Sequence, residues 1–544
     1  MRFRRPVISS TALSVLVAVY ILFLTNATYW SRISARFADE PLNLVLLNAA
    51  VLLVYVVFLT IFSAPYVIRP MFIILVMIAA AVSYYTDRFG TIMDRDMIQN
   101  IVQTTLPESS NLITGQMVLH MLLFGVLPSL LIAWVGIRHR PFWQKVKVNT
   151  AVCLGLVALA ALLIGSNLRA FIPFWQHDRH ETMAYLNPAT ALVGAVDYAQ
   201  RQLRDLNIKA QPYGRDARLG PRVAQGSGKR LLVLVVGETA RAQNFSLTGY
   251  GRDTNPMMAA RDVIAFTNVT SCATATAISM PCMFSHLGRD NYSRRAFLGS
   301  ENLADVLRHA GLKVEWWENN TGPKNVADRI PVEMVANTPD PALCAGGECL
   351  DQVLIDRLRE RLATYDGNGV LILHVMGSHG PAYFRRYPPD FERFKPVCRT
   401  SELNDCSSQE LLNAYDNTIL YTDYILASVI DLLKQRDDLE TAMYYMSDHG
   451  ESLGENGLYL HGAPYMFAPE EQKRIPFIAW FSDSFARRDG LDAACLRARA
   501  GEELSHDNMF DTVLGLMDVQ TDIYNPALDA FAACRSPATS SVMP

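Results

Sequence analysis

The sequence predicts a membrane-spanning domain of five helices followed by an α/β domain with a largely parallel sheet. Apolar residues crowd into the first third of the 544-residue chain, and from Arg230 onward apolar runs alternate with helical stretches. Of the nine cysteines, all but Cys153 lie in the second half. With half of its residues hydrophobic and 19% charged, the chain is too apolar for one ordinary soluble domain. The formal net charge of −4 shows no basic excess, so we expect no nucleic-acid partner.

Five apolar segments in the first third approach the length of about 20 residues that a helix needs to cross a bilayer. They are Thr11–Tyr29, Leu42–Phe62, Val67–Tyr85, Met117–Ile137 and Val148–Ser166. The third is the weakest, because Arg69 and Pro70 interrupt its start. The first is followed by another apolar span rather than by a polar mature domain, so we do not interpret it as a cleaved signal peptide.

The basic residues predict the orientation of these spans. They precede the first span, occupy the second short turn and crowd the loop before the fifth span: Arg2, Arg4, Arg5, Arg69, Arg138, Arg140, Lys145 and Lys147. The other loops hold only Arg32, Arg36, Arg88 and Arg95. Because the side richer in Lys and Arg faces the cytoplasm, we expect a cytoplasmic N-terminus. Five crossings then place everything after about Leu168 outside.

The pattern divides the chain into three regions. We predict a membrane domain over 1–168 with an external loop over about 86–116, a bridging helix and polar linker over 169–229, and a second domain over 230–544. In the external loop Asn100, Thr104 and Glu108 recur at every fourth residue, so they would share one face of a helix. Periodicity alone favours a solvated helix face there.

Six cysteines of the second half fall in close pairs, at 272/282, 344/349 and 398/406. Short-range pairs in a polar domain indicate disulfides and an oxidising compartment. The alternatives are reduced structural cysteines or a zinc ribbon, but a ribbon needs C-x-x-C spacing, which none of the pairs shows. A fourth pair, Cys495 with Cys534, stays open because pairing cannot be deduced from sequence alone.

The second domain alternates predicted strands and helices. The strands are Leu231–Val236, Val314–Trp317, Val370–Met376, Ala442–Met446 and Phe477–Trp480, and the helices are Asn302–Ala310, Asp351–Thr364 and Leu411–Leu433. This alternation is typical of a largely parallel sheet, whose functional sites form beyond the C-terminal ends of the strands.

Polar residues follow these strand ends: Glu238, His374, His379, Asp448, His449 and, further on, His461. Carboxylates and imidazoles at the ends of separate strands are the ligands that zinc or manganese prefers. The alternative is a polar rim without a metal. A nearby stretch, Ser271–Cys282, carries the hydroxyl residues Ser271, Thr274, Thr276 and Ser279. One of them could be a nucleophile, but such hydroxyls more often cap helices, and spacing alone does not choose among them.

Several motifs in order resemble one family. They are Gly237-Glu238-Thr239-Ala240-Arg241, Cys272 to Cys282, His379-Gly380-Pro381, Ser447-Asp448-His449-Gly450-Glu451-Ser452 and His461-Gly462. Together they resemble the lipid A phosphoethanolamine transferases, inner-membrane enzymes that include the transferable colistin-resistance proteins. These enzymes have the alkaline phosphatase/sulfatase fold, and the resemblance extends over nearly the whole chain.

The resemblance implies specific roles for residues. Catalytic zinc would be held by Glu238, Thr276, Asp448 and His449, with Thr276 also the nucleophile. Lys324, His379 and His461 would bind the phosphoethanolamine group or a second zinc. They would also act in catalysis, by steadying the phosphoryl oxygens and by helping to protonate or deprotonate the entering and leaving groups. Thr321 is a weaker candidate for substrate contact. Asn100, Thr104 and Glu108 would contact the donor lipid, which replaces the interpretation as a solvated helix face. A Cys272–Cys282 disulfide would hold the loop rigid beside the metal.

The implied reaction has two steps: Thr276 takes phosphoethanolamine from phosphatidylethanolamine and passes it to a lipid A phosphate. This transfer lowers negative surface charge and gives polymyxin resistance. We expect a monomer in the bacterial inner membrane, with the catalytic domain in the periplasm. The alternatives are a sister transferase acting on core sugar, a glycan or a protein, a hydrolase or phosphoglycerol transferase of the same fold, and a catalytically dead membrane sensor.

Overall fold

The structure, a computed structural model, describes residues 5–225, 228–335 and 340–536. The chain forms two units with separate cores. The first consists of Met1–Gln99 and Ile113–Gln200, and the second of Asn100–Leu112 and Arg201–Pro544. The residues around Asn100 therefore belong to the second unit, although they lie between two apolar helices in the sequence.

The first unit is built from apolar helices. The helices that correspond to the predicted spans are Ser10–Leu24, Ala27–Arg36, Pro41–Ile61, Ile68–Phe89, Gly115–Trp134 and Phe142–Gly165. Among the described residues, four of them are long and apolar enough to cross a membrane, or five spans result if the first two helices count as one. In the third predicted span, Arg69 and Pro70 lie in the first turn of Ile68–Phe89. The missing N–H of a proline costs nothing there, because first-turn N–H groups have no partner within the helix.

The first predicted span, Thr11–Tyr29, differs from expectation because it is not one straight helix. The helices Ser10–Leu24 and Ala27–Arg36 meet at an angle of 72°. At the break, the buried Asn26 side chain donates to the carbonyl of Ile21 and accepts the backbone N–H of Asn187 at 2.7 Å. These two hydrogen bonds satisfy the buried amide of Asn26 and so stabilise the bend. In a continuous helix the amide would lack these partners.

The segments that flank the predicted spans are also helical. Arg95–Gln103 and Leu106–Leu112 occupy the predicted external loop. Beyond the last apolar helix come Leu168–Pro173, Arg179–Thr182 and the amphipathic helix Ala189–Asp205. Residues 218–222 of the predicted polar linker make contacts with the C-terminal part of the chain. Arg218–Leu219 pairs antiparallel with Val519–Gln520, and the N–H of Arg222 donates to Asp518 at 2.7 Å, so this segment is part of the second unit.

A twisted sheet forms the centre of the second unit. Its strands are β1 (Lys229–Gly237), β2 (Ile264–Phe266), β3 (Lys313–Glu318), β4 (Val332–Met334), β5 (Gly369–His374), β6 (Leu439–Ser447) and β7 (Phe477–Phe481). Across the sheet, the order in the described residues is β2–β7–β6–β1–β5–β3–β4. The pairs from β6 to β4 are parallel, and β7 runs antiparallel to both of its neighbours. The prediction of a largely parallel sheet is confirmed.

The helices of the second unit include α1 (Thr276–Met283), α2 (Leu303–His309), α3 (Gln352–Thr364) and α4 (Ser408–Lys434). α2 to α4 confirm the three predicted helices. Both α2 and α4 begin with a capping box, formed by Asn302 with Asp305 and by Ser407 with Glu410. These reciprocal hydrogen bonds satisfy N–H groups that the first turn leaves free.

The cysteine pairs form disulfides as predicted. The structure contains Cys272–Cys282, Cys344–Cys349 and Cys398–Cys406, and it also joins Cys495 to Cys534, the pair that the sequence left open. Cys153 has no disulfide partner.

A buried ion network joins the far ends of the second unit, and its loss is a first testable prediction. Asp489 accepts from Arg230 at 2.8 Å and from Arg535 at 2.7 Å, and the side chains of Asp489 and Arg230 are fully buried. In the variant Asp489→Ala both guanidinium groups would keep their charge but lose a buried partner. We expect the free energy of unfolding to fall by about 3–5 kcal/mol, measured as a lower thermal midpoint of the full-length protein.

The matched control for this prediction is Asp253→Ala. Asp253 pairs with Arg393 at 3.3 Å, but both side chains are about half exposed. Exposed ion pairs contribute about 1 kcal/mol or less, so the control should unfold close to the wild type. Equal effects of the two substitutions would contradict the role given to the buried network.

Candidate active site

Parallel strands bring the candidate residues to one edge of the sheet. Glu238 follows β1, His374 ends β5, and Asp448 and His449 follow β6. In the register, Val236 of β1 lies beside His374 on one side and Met446 on the other. The C-terminal ends of three adjacent strands therefore place these side chains together, as the sequence predicts.

Glu238, Asp448 and His449 form a cluster whose ligand atoms all lie within 4.8 Å of one another. His449 Nε2 is 3.3 Å from Asp448 Oδ2 and 3.6 Å from Glu238 Oε1. All three side chains are fully buried. Two carboxylates and an imidazole at this spacing are the donors of a divalent metal site.

The hydrogen bonds around the cluster also fit a metal. Among the described residues, Asp448 Oδ2 is buried and has no hydrogen-bond partner. Burial and the neighbouring Glu238 carboxylate raise the pKa of Asp448 well above its usual range, so a cation is what would keep both groups ionised. His449 Nδ1 donates to the carbonyl of Gly450 at 2.8 Å, which leaves the lone pair of Nε2 directed to the cluster. Burial lowers the pKa of His449 to about 3, so the imidazole is neutral.

Thr276 is the hydroxyl residue that faces this cluster. It begins α1, and its Oγ1 lies 3.1 Å and 3.2 Å from the Glu238 oxygens and 3.2 Å from His449 Nε2. The other three hydroxyls of the stretch donate to backbone carbonyls: Ser271 to Ala273, Thr274 to Ala463 and Ser279 to Asp448. Geometry thus separates Thr276 from its neighbours, which spacing in the sequence could not do.

A small cavity lies beside Thr276. It is lined by Asn100, Gln103, Thr104, Glu108, Thr276, Ala277, Thr321, Lys324, His379 and His461. All seven residues predicted to contact substrate are among them. The prediction that Asn100, Thr104 and Glu108 share one helix is wrong, because the helix ends at Gln103 and another begins at Leu106. Pro107 in the first turn of the second helix favours a new start there, and the three side chains still line one cavity.

Two contacts show how the charged groups of the cavity are arranged. His379 Nε2 lies 3.3 Å from Glu108 Oε1. Lys324 Nζ donates to the carbonyl of Thr321 at 2.8 Å, and burial lowers the Lys324 pKa despite the nearby Glu238 and Glu108 carboxylates. Lys324 also has a φ of +47°, a conformation that is strained for a side chain with a Cβ.

Glu451 belongs to the motif Ser447–Ser452, but the sequence alone predicts no role for it. Its carboxylate accepts from His461 Nδ1 at 3.0 Å and from the Tyr383 hydroxyl at 2.9 Å. Burial opposes the charge on His461, yet the Glu451 carboxylate outweighs it and raises the pKa of His461 to about 9. His461 can therefore present an N–H donor to a phosphoryl oxygen.

Three further residues lie behind Glu238, namely Asn320, Glu318 and His374. Asn320 donates to Glu238 Oε2 at 2.7 Å, and Glu318 accepts from His374 Nδ1 at 2.8 Å and from the N–H of Asn320 at 2.7 Å. Burial opposes a charge on His374, but Glu318 and Glu238 raise its pKa to about 10. Only His374 carries a signal in the sequence, as a polar residue at the end of a buried strand.

His506 was missed as well, and it ties the disulfide loop to the sheet. Its Nδ1 accepts the N–H of Cys272 at 3.0 Å, and its Nε2 donates to the carbonyl of Ser447 at 2.9 Å. Burial lowers the pKa of His506 to about 4, so it is neutral and can make both bonds. No motif surrounds His506 in the sequence.

The fold and the strand-end site define a member of the alkaline phosphatase/sulfatase class. The sulfatase family model matches residues 230–519, and the model described as phosphoethanolamine transferase EptA/EptB matches residues 51–203. The chain is 40% identical to the phosphoethanolamine transferase EptA of Salmonella typhimurium over 98% of both proteins. It is 37% identical to the phosphatidylethanolamine transferase Mcr-1 of Escherichia coli, over 96% of this chain and 97% of that one.

A solved structure agrees over the full length. The integral membrane protein lipooligosaccharide phosphoethanolamine transferase A (EptA) from Neisseria meningitidis superimposes with a TM-score of 0.94 at 35% identity, covering 98% of this chain and 100% of that one. The chain belongs to the phosphoethanolamine transferase family. It is therefore an enzyme of the phosphotransferase type with apolar helices typical of an inner-membrane protein.

Proposed function

We propose that the protein transfers phosphoethanolamine from phosphatidylethanolamine to a phosphate of lipid A, through a covalent intermediate on Thr276. The observation that carries this proposal is the position of Thr276 Oγ1, within 3.2 Å of both Glu238 and His449. Glu238, Asp448, His449 and Thr276 would hold one zinc ion. When bound, zinc there would act as a Lewis acid that lowers the pKa of the hydroxyl and offsets phosphoryl charge.

In the first step, Thr276 Oγ1 forms a bond to the phosphorus of the donor, and the bond from phosphorus to the diacylglycerol oxygen breaks. Diacylglycerol leaves with a proton, and phosphoethanolamine stays on Thr276. In the second step, an oxygen of the lipid A phosphate attacks the same phosphorus, and Thr276 leaves and regains its proton. Lys324, His461 and Glu108 line the cavity beside Thr276. In this proposal Lys324 and His461 donate hydrogen bonds to the phosphoryl oxygens, and the Glu108 carboxylate binds the ammonium group.

The names of the relatives support the two substrates. Mcr-1 is named a phosphatidylethanolamine transferase, and the meningococcal structure is named a lipooligosaccharide phosphoethanolamine transferase. Because the added ammonium offsets a phosphate charge, the product surface would bind cationic polymyxins less, and resistance would follow. A second zinc near His379 and His461 stays a prediction.

The topology supports the same reaction. Four disulfides in the second unit fit an oxidising compartment, and the basic residues of the first unit favour a cytoplasmic N-terminus. We therefore infer an inner-membrane enzyme whose catalytic unit lies in the periplasm and acts as a monomer on lipids of the outer leaflet. Both substrates are amphiphiles, which explains why the catalytic unit is tied to membrane helices.

The acceptor is tested by mass spectrometry of lipopolysaccharide from cells that express the full chain. We expect lipid A to gain the mass of one phosphoethanolamine group and polymyxin tolerance to rise, and neither change in cells that express Thr276→Ala at equal level. Unmodified lipid A with a modified core sugar would contradict the proposed acceptor and support the sister transferase. Free phosphoethanolamine without any modified lipid would support a hydrolase.

A further inference from the structure

The segment Asn100–Leu112 brings Asn100, Thr104 and Glu108 to the catalytic cavity, but only short helices support it. Its second helix, Leu106–Leu112, contacts a hairpin of the second unit. The hairpin pairs Cys344–Ala345 with Glu348–Cys349 and is closed by the Cys344–Cys349 disulfide. Its two turn residues, Gly346 and Gly347, have φ values of +64° and +86°. A two-residue turn with positive φ at both positions is the tight kind that favours glycine.

Gly347 touches the segment at close range. A Cβ built on Gly347 would lie 2.7 Å from Pro107 Cγ and 3.4 Å from Pro107 Cβ. A Cβ on Gly346 would meet no atom of the described residues within 4 Å. The positive φ values favour glycine at both turn positions. Only at Gly347 does the absence of a side chain also allow the segment Asn100–Leu112 to lie close to the hairpin.

Polar contacts hold the other end of the same helix. Asn111 Oδ1 accepts from Arg385 at 2.7 Å, and Asn111 Nδ2 donates to Glu348 Oε2 at 3.4 Å. Glu348 also pairs with Arg386 through both of its oxygens, at 2.8 Å and 3.3 Å. Arg386 has a side chain only 2% exposed, and its Nε donates to the carbonyl of His379 at 2.7 Å.

Glu348 thus connects the segment to the loop that carries His379. On the cavity side the same two elements meet again, where Glu108 Oε1 lies 3.3 Å from His379 Nε2. A shift of the Leu106–Leu112 helix away from the hairpin would move Glu108 with it, because Glu108 lies in the first turn of that helix.

We propose that the Cys344–Cys349 hairpin is the dock that positions Glu108 for recognition of the donor ammonium. Gly347, Glu348, Arg385 and Asn111 are positioning residues in this inference: they act through Glu108 and His379 and need not touch the substrate. The inference rests on the proposed function, in that Glu108 binds the headgroup of the donor.

The test compares Gly347→Ala with Gly346→Ala in the full-length protein. Both substitutions place an alanine at a positive φ in the turn, but only Gly347→Ala drives a methyl group into Pro107. We expect KM for phosphatidylethanolamine to rise about tenfold in Gly347→Ala, the size expected when one charged contact is displaced, with a smaller change in kcat. Gly346→Ala should stay near the wild type.

Two further variants separate docking from misfolding. Pro107→Ala removes the Cγ atom that the new methyl group meets, so Pro107→Ala in the Gly347→Ala protein should restore KM. Glu108→Gln should raise KM in the wild type but add nothing in the Gly347→Ala background, since the contact is already lost. Additive effects, failure of the rescue, or equal effects of the two glycine substitutions would overturn the inference.

The amide hydrogen-exchange rates of the segment Asn100–Leu112 measure its docking on the hairpin in the absence of substrate. Its amides should exchange faster in Gly347→Ala than in Gly346→Ala or the wild type, and unchanged exchange would overturn the dock. If the wild type transferred no phosphoethanolamine, the proposed function would fail, while hydrogen exchange would still decide whether the hairpin holds the segment.

Discussion

Replacing Thr276 by alanine should abolish both the covalent adduct and the transfer reaction. The substitution removes the attacking oxygen, which lies 3.1 Å from Glu238 and 3.2 Å from His449, and leaves no other hydroxyl facing the cluster among the described residues of the stretch. Removal of a nucleophile costs at least about 10³-fold in turnover, because the alternative is direct attack without the activated group. The measurement is release of diacylglycerol from phosphatidylethanolamine by the purified full-length protein.

The control is Thr274→Ala, which removes a hydroxyl two residues away. Thr274 Oγ1 donates to the carbonyl of Ala463 at 2.6 Å and does not face the metal cluster. This variant should keep most of its activity, and Thr276→Ser should keep part of it because a hydroxyl remains. A covalent phosphoethanolamine adduct in Thr276→Ala would show that another residue is the nucleophile.

The second large effect is expected for Asp448→Asn. The amide can keep the bonds that Asp448 Oδ1 accepts from the N–H groups of Thr239 and His449, so the local fold should remain. It replaces Oδ2, a buried oxygen that has no hydrogen-bond partner in the described part of the chain, by an NH₂ group that cannot bind a cation. We expect loss of bound zinc and a fall in turnover of more than about 100-fold.

Stability distinguishes this explanation from simple unfolding. Burial and the Glu238 charge raise the pKa of Asp448, so the metal-free Asp448→Asn protein, freed of a buried carboxylate, should be at least as stable as the metal-free wild type. Zinc should raise the thermal midpoint of the wild type but not that of the variant, since a ligand stabilises only a protein that binds it.

Asp423→Asn, at a buried carboxylate that accepts the N–H groups of Met257 and Met258, is the control for a carboxylate outside the cluster. A variant that retains one zinc per chain and full activity would contradict the metal site.

The sheet and the strand-end residues could be predicted because their signals are local and strong. β1, β5 and β6 each contain a run of buried apolar residues, and a polar residue of the site ends the strand (His374) or follows it directly (Glu238, Asp448). Parallel neighbours bring such ends together whatever the length of the intervening chain. Glu238, Asp448 and His449 could therefore be predicted as neighbours from the sequence alone.

Other features depend on partners that are distant in the sequence. The bend at Asn26 is stabilised by the backbone of Asn187, and His506 joins Cys272 to Ser447, so neither has a local pattern. The choice of Thr276 among four hydroxyls likewise depends on where Glu238 and His449 lie. Family resemblance pointed to Thr276, and the distances now supply a physical reason for that choice.

The most direct test of the covalent mechanism is peptide mass spectrometry of the wild-type protein incubated with phosphatidylethanolamine and no acceptor. The peptide that contains Cys272–Cys282 should carry one phosphoethanolamine group on Thr276, and addition of lipid A should remove that group and transfer it to the lipid. Turnover without an adduct on this peptide, or an adduct on Ser279 or Thr274 instead, would contradict the mechanism.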